Sequence, residues 1–112
     1  PSSILPPLSD PAAVDPEEAL VAAVSACHMM FFLAYAAKAG FTVDSYVDQA
    51  EGTLGRDERG KTAITAVTLR PRVAWSGETT PTPDDVVDLH HRSHEDCFIA
   101  NSIRAPVRVE SV

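Results

Sequence analysis

From residue 19 to residue 37 this chain carries no charged side chain, and that run limits what it can fold into more than any other feature. The run is framed as a helix. Asp15 is a capping residue, Pro16 suits the first helical position, and Glu18 stands where the reciprocal acid of a capping box belongs. Lys38 falls in the last turn, and Gly40 follows as a left-handed terminator. Apolar on nearly every side, such a helix has to be wrapped by protein or lipid rather than lie on a surface. Cys27, one of only two cysteines, sits in its middle.

Val21 to Ala37 reaches only the lower end of the length that spans a bilayer. Ser25, His28 and Tyr35 interrupt it and its N-terminal flank is acidic, so a buried helix of a soluble protein is expected, with no membrane partner. The chain has 112 residues, enough for one domain around one core. Nine basic residues against sixteen acidic ones give a net charge of −7, which argues against a nucleic-acid partner. Two cysteines seventy residues apart are no disulfide scaffold. No basic segment leads into an apolar run at the start, so a cytoplasmic setting is expected. Residues 1–14, which begin at Pro1 without a Met, read as an extended Pro-rich linker expected to follow N-terminal strands, with the domain over 15–112.

After the helix, Phe41 to Leu54 reads as a strand, with Asp44, Tyr46 and Asp48 on one face and Val43, Ser45 and Val47 on the other. Gly55 to Gly60 is a polar hairpin loop. The return strand runs from about Lys61 to Trp75 and places Thr65, Val67, Leu69, Val73 and Trp75 on one face. One covered and one wet face suits an antiparallel sheet packed on a helix. Thr82, Pro83, Asp84 and Asp85 open a second helix running toward His94. Cys97 to Ile103 is expected to be a short helical segment, and Pro106 to Val112 a final strand. The predicted fold class is α+β, with the first helix at the apolar centre.

Chemistry has two candidate seats. Amide groups at the start of a short helix would stabilise a Cys97 thiolate, and Cys27 and Cys97 could form a reversible disulfide; both could equally be inert buried thiols. His90, His94 and Cys97 fall at i, i+4 and i+7, and with His28 and Cys27 they offer a tetrahedral zinc site as the alternative. Glu17 and Glu18 have an ordinary use at the helix start.

Two motifs favour the first seat. PEEALVAAVSACH, Pro16 to His28, resembles the first-cysteine motif of the OsmC/Ohr family, the osmotically inducible protein C and organic hydroperoxide resistance proteins. HEDCFIANSI, His94 to Ile103, resembles that family's second-cysteine motif, with Phe98 where a proline is usual, as in a less characterised branch. The resemblance implies an OsmC-like α+β fold around a long central helix, an intertwined homodimer, and a thiol-dependent peroxidase acting on organic hydroperoxides. It implies Cys27 as peroxidatic cysteine, Cys97 as resolving cysteine and Glu17 as the acid that orients an arginine. No arginine precedes Arg56, so that partner is not identified in this chain. No bound cofactor or metal is implied. An external thiol, of dithiol or lipoyl type, restores the enzyme.

Under that resemblance, a Cys27 thiolate would attack the distal peroxide oxygen, and the sulfenic acid would condense with Cys97. Met29, Met30, Phe31 and Phe32 would supply apolar walls for the substrate, or else ordinary core packing. Glu17 and Cys27 are ten residues apart, about 15 Å along one helix at ~1.5 Å per residue, so they cannot share a site within one chain. Two such helices packed antiparallel about a two-fold axis would bring Glu17 of one copy toward Cys27 of the other.

Overall fold

The computed structural model of the chain describes residues 14–111; residues 1–13, where most of the linker is expected, lie outside the described residues. The order of elements is α1 (Pro16–Lys38), β1 (Thr42–Asp48), β2 (Glu51–Arg56), β3 (Thr62–Leu69), β4 (Pro71–Ser76), α2 (Pro83–Asp96), a 3₁₀ turn at Ala100–Ser102 and β5 (Val107–Val109). This is the α+β class expected.

Helix α1 begins and ends where its sequence says. The Asp15 carboxylate accepts from the Glu18 N–H at 2.7 Å, and Glu18 Oε1 accepts from the Asp15 N–H at 3.3 Å. Gly40, at φ 86°, carries the chain out of the helix in the left-handed region. The wrapping differs from expectation. Only Val24, His28, Phe32 and Ala36 are buried, a single i, i+4 stripe, while Met30 on another face is 67% exposed. By length and composition α1 would also pass for a membrane-crossing helix, yet this one stripe is packed on protein. One copy of the chain therefore covers one side of a helix that is apolar all round.

The stripe serves two cores. Its N-terminal half, at Val24, packs with Val67 and Leu69, ringed by Val21, Ile64, Ile99, Val107 and Val109. Its C-terminal half, Phe32 and Ala36, packs with Leu89 of α2 and with Phe41, Val43, Tyr46, Val73 and Trp75. His28 lies between them on the same stripe.

Each predicted long strand is in fact two. The first breaks at Gln49 and Ala50, and the second at Arg70, because Pro71 has no N–H to continue a ladder. β1 pairs with β4 from Thr42↔Ser76 to Asp48↔Pro71, and β2 pairs with β3 from Glu51↔Thr68 to Arg56↔Thr62, both antiparallel. A register shift between Val43 and Ser45 moves Val43 and Tyr46 to the covered side, against the alternation expected for β1. The last strand is shorter than expected and lies parallel to β3, Val67↔Val107 to Leu69↔Val109, since the chain returns through α2.

Asp48 holds the kink. Its Oδ1 accepts the Arg70 N–H at 2.6 Å, satisfying the amide at the break between β3 and β4, and its Oδ2 accepts the Ser25 hydroxyl of α1 at 2.6 Å. The molecule is not compact. Its Cα radius of gyration is 16.1 Å, against about 13 Å for a compact domain of this length.

Replacing Asp48 with Ala removes two charge-assisted hydrogen bonds and leaves a half-buried amide unpaired. Urea denaturation should show a loss of about 2–4 kcal/mol, with Asp48→Asn losing less. Unchanged stability in Asp48→Ala would show that the kink does not depend on this carboxylate.

Candidate active site

Cys27 faces away from the sheet side of α1, half-buried, and Cys97 is 1% exposed at the C-terminal end of α2. Both are free thiols. Cys97 does not open a helix as expected. It is the C-cap of α2, extended at φ −63° and ψ 112°, because the helix continues to Asp96. The two thiols are nonetheless neighbours. Burial raises the Cys97 thiol above its ordinary pKa, and a hydrogen bond with Cys27 and the proximity of its charge raise it further. The Ala100 N–H, 3.5 Å from Cys97 Sγ, and that of Ile99 act in the opposite direction. Seventy residues of chain thus close on one pair of sulfurs.

Beside them lies a pair of imidazoles. His28 Nε2 is 3.0 Å from His90 Nδ1, with the rings 9° from parallel. His90 also stacks on Phe32 at 4.3 Å between centroids. One ring donates and the other accepts, which requires at least one neutral imidazole. His28 is pushed down to about 4 by burial, then by the charges of His90 and His94. His90 is also pushed down to about 4 by burial, against a smaller upward pull from Asp48. His28 Nδ1, His90 Nε2 and His94 Nδ1 are buried with no partner.

This arrangement corrects the zinc alternative. His90 Nδ1, one of the nitrogens such a site would use, is taken by His28. Among the described residues no three His, Cys, Asp or Glu side chains stand where they could hold a metal ion.

Glu17 is elsewhere. It lines an open groove of about 640 Å³ between α1 and the hairpin, with Val21, Ser25, Met29, Tyr46 and Asp48, and Cys27 does not reach that groove. Tyr46 turns a buried hydroxyl without a partner toward this side, and burial raises its pKa. The four residues expected as apolar walls part company, since successive helical residues point 100° apart. Phe32 is core, Met29 lines the groove, Met30 is exposed, and Phe31 turns to the side of Phe98, the residue after Cys97. Phe31 meets Phe98 edge-on at 5.1 Å and 86°.

The sequence reading missed Asp48 and Ser25, the direct bond between His28 and His90, which it grouped only as zinc ligands, and Tyr35, whose hydroxyl donates to Asp96 under the Arg92 guanidinium. A usable signal existed for one of them: a lone His28 inside an uncharged helix needs a buried partner.

An α+β frame organised on one long helix, with two thiols in contact at a helix–helix seam, defines a dithiol protein of OsmC architecture. The chain belongs to the OsmC-like protein family, whose pattern matches residues 9–112. It is similar to an OsmC-like protein of unknown function from Vibrio cholerae O1 biovar eltor, with 52% identity and a TM-score of 0.93 over 95% of this chain and 69% of that one. Its fold is shared with the organic hydroperoxide resistance protein OhrB of Bacillus subtilis, at 21% identity and a TM-score of 0.74 over 90% and 72% of the two chains. An organic hydroperoxide resistance protein from Elizabethkingia anophelis matches at 20% identity and a TM-score of 0.72, over 92% and 69%. No curated protein matches the chain.

The histidine pair sets a pH dependence. An unfolded imidazole titrates near 6.5 and these two near 4, so between those values the unfolded chain holds more protons. Their stabilising contribution is whole above pH 6.5 and is lost as pH falls toward 4. Denaturation curves from pH 7 to 4.5 should show stability falling by up to about 1.4 kcal/mol per pH unit for each extra proton the unfolded chain binds. A flat profile over that range would mean that neither ring is held neutral by the fold.

Proposed function

We propose that this protein is a thiol-dependent peroxidase that reduces organic hydroperoxides to alcohols. The observation that carries this reading is the contact between Cys27 and Cys97, brought from two distant motifs to one seam. Exposure supports the roles. Cys27 is half-buried and reachable, whereas Cys97 is buried behind it with its thiol held protonated. The Cys27 thiolate attacks the distal peroxide oxygen; the O–O bond breaks, the alkoxide takes a proton and leaves as alcohol, and Cys27 becomes a sulfenic acid. The Cys97 sulfur displaces hydroxide from that sulfenic acid, giving a Cys27–Cys97 disulfide and water. Two electrons from an external dithiol return both thiols.

One equivalent of cumene hydroperoxide should remove two thiols per chain and lower the mass by about 2 Da, the loss of two hydrogens on forming a disulfide. Cys27→Ser should consume none, and Cys97→Ser should stop at a sulfenic acid trapped by dimedone. Peroxide consumption at the parental rate in Cys27→Ser would sink the assignment.

The working unit in this reading is a dimer. Support comes from the uncovered apolar sides of α1, from a radius of gyration too large for a compact domain, and from Glu17 opening into a groove that Cys27 does not reach. Antiparallel packing of two α1 helices covers the first and brings Glu17 of one copy toward Cys27 of the other, where it would orient a guanidinium against the thiolate. Light scattering should give twice the chain mass, and Met30→Glu on the exposed face of α1 should shift the protein toward monomer with loss of turnover. A fully active monomer would overturn the shared site.

A further inference from the structure

Phe98 is 71% exposed, and a single exposed aromatic ring carries no meaning by itself. Its surroundings give it one. Phe98 follows Cys97 directly, and its ring stands edge-on against Phe31, one helical turn beyond Cys27. Phe31 in turn meets Tyr35 at 6.1 Å, one turn further on. Tyr35 is pinned by its hydrogen bond to Asp96 and by the Arg92 guanidinium 4.4 Å over its ring. Phe98, Phe31 and Tyr35 thus form a braced row of rings that starts one residue past Cys97 and one turn past Cys27 and follows the seam between α1 and α2. The row is rigid where it touches α1 and exposed at the end nearest the thiols.

An edge-to-face pair presents further ring faces and edges for a third ring to complete. We propose that Phe98, backed by Phe31, is a specificity residue that seats the aryl group of a hydroperoxide beside Cys27, so that the protein prefers hydroperoxides whose peroxide-bearing carbon carries an aromatic ring. This rests on the peroxidase reading for its chemistry, but the seat itself is a binding site that can be read without turnover. A peroxide borne on a benzylic carbon places its distal oxygen a few bonds from the ring. A ring held against Phe98 is then within reach of the sulfur one turn back along α1. A compact alkyl group has no ring to pair, and hydrogen peroxide has no body to seat at all.

The test uses the reduced full chain. Cys27 alkylation by iodoacetamide is followed by peptide mass spectrometry with 2-phenyl-2-propanol or tert-butanol present. The aryl alcohol should slow alkylation severalfold in the parent, and tert-butanol should not. Phe98→Ala should lose the protection, and Phe98→Tyr should keep it. In parallel, the ratio of kcat/KM for cumene over tert-butyl hydroperoxide should fall by up to about tenfold in Phe98→Ala, the upper worth of one aromatic pair. Absent protection in the parent, equal protection in Phe98→Ala, or an equal drop for both hydroperoxides would overturn the seat. So would a Phe98→Ala chain that changes oligomeric state and leaves the ratio intact, since the ring would then be an interface residue. Protection without any peroxide consumption would uphold the seat and sink the peroxidase reading instead.

Discussion

One stripe of α1 carries this fold. Val24, His28, Phe32 and Ala36 repeat at four-residue spacing, and both hydrophobic clusters close on that line, one at each end of His28. Because the two clusters share a rigid rod, the sheet of β2, β3 and β5 and the layer of β1, β4 and α2 cannot move independently of it. The seam between α1 and α2 that holds the thiols inherits that rigidity. His28 and His90 bridge the same seam with a bond that a second protonation would break, so the dithiol is held by helices whose contact prefers neutral imidazoles.

Polar groups act here as joints between apolar layers. Asp48 sits where Pro71 interrupts the long hairpin, and it satisfies both the Arg70 amide and the Ser25 hydroxyl. A kinked hairpin lets one half follow the N-terminal part of α1 and the other half follow the C-terminal part. The cost is an open groove on the side of Glu17 and uncovered apolar faces on the helix.

Much of this was legible in the residues themselves, and the misses have definite causes. The capping boxes at Asp15 and Thr82 were readable because each is a contact within one helical turn, and the structure forms both. Strand identity in the hairpin was readable from Thr, Val and Trp spacing, but its break was not, since nothing local says that the Arg70 N–H will bond to the distant Asp48 carboxylate. The zinc alternative failed over a contact between two helices. The spacing of His90, His94 and Cys97 counts only one helix, and His90 Nδ1 is instead met by His28 from the other.

Sequence alone determined what is local: the extent of α1, its lack of charge, the place of Cys27 within it and the turn chemistry that ends each element. It could also match two motifs to a family. Tertiary structure decided everything that depends on distance through space. It put Cys97 against Cys27, gave His90 to His28 rather than to a metal, sent Glu17 into a different opening, and set Phe98 on Phe31. The physical reason is periodicity. A helix rotates each successive residue by 100°, so neighbours in sequence such as Phe31 and Phe32 serve different surroundings, while residues sixty or seventy apart become partners.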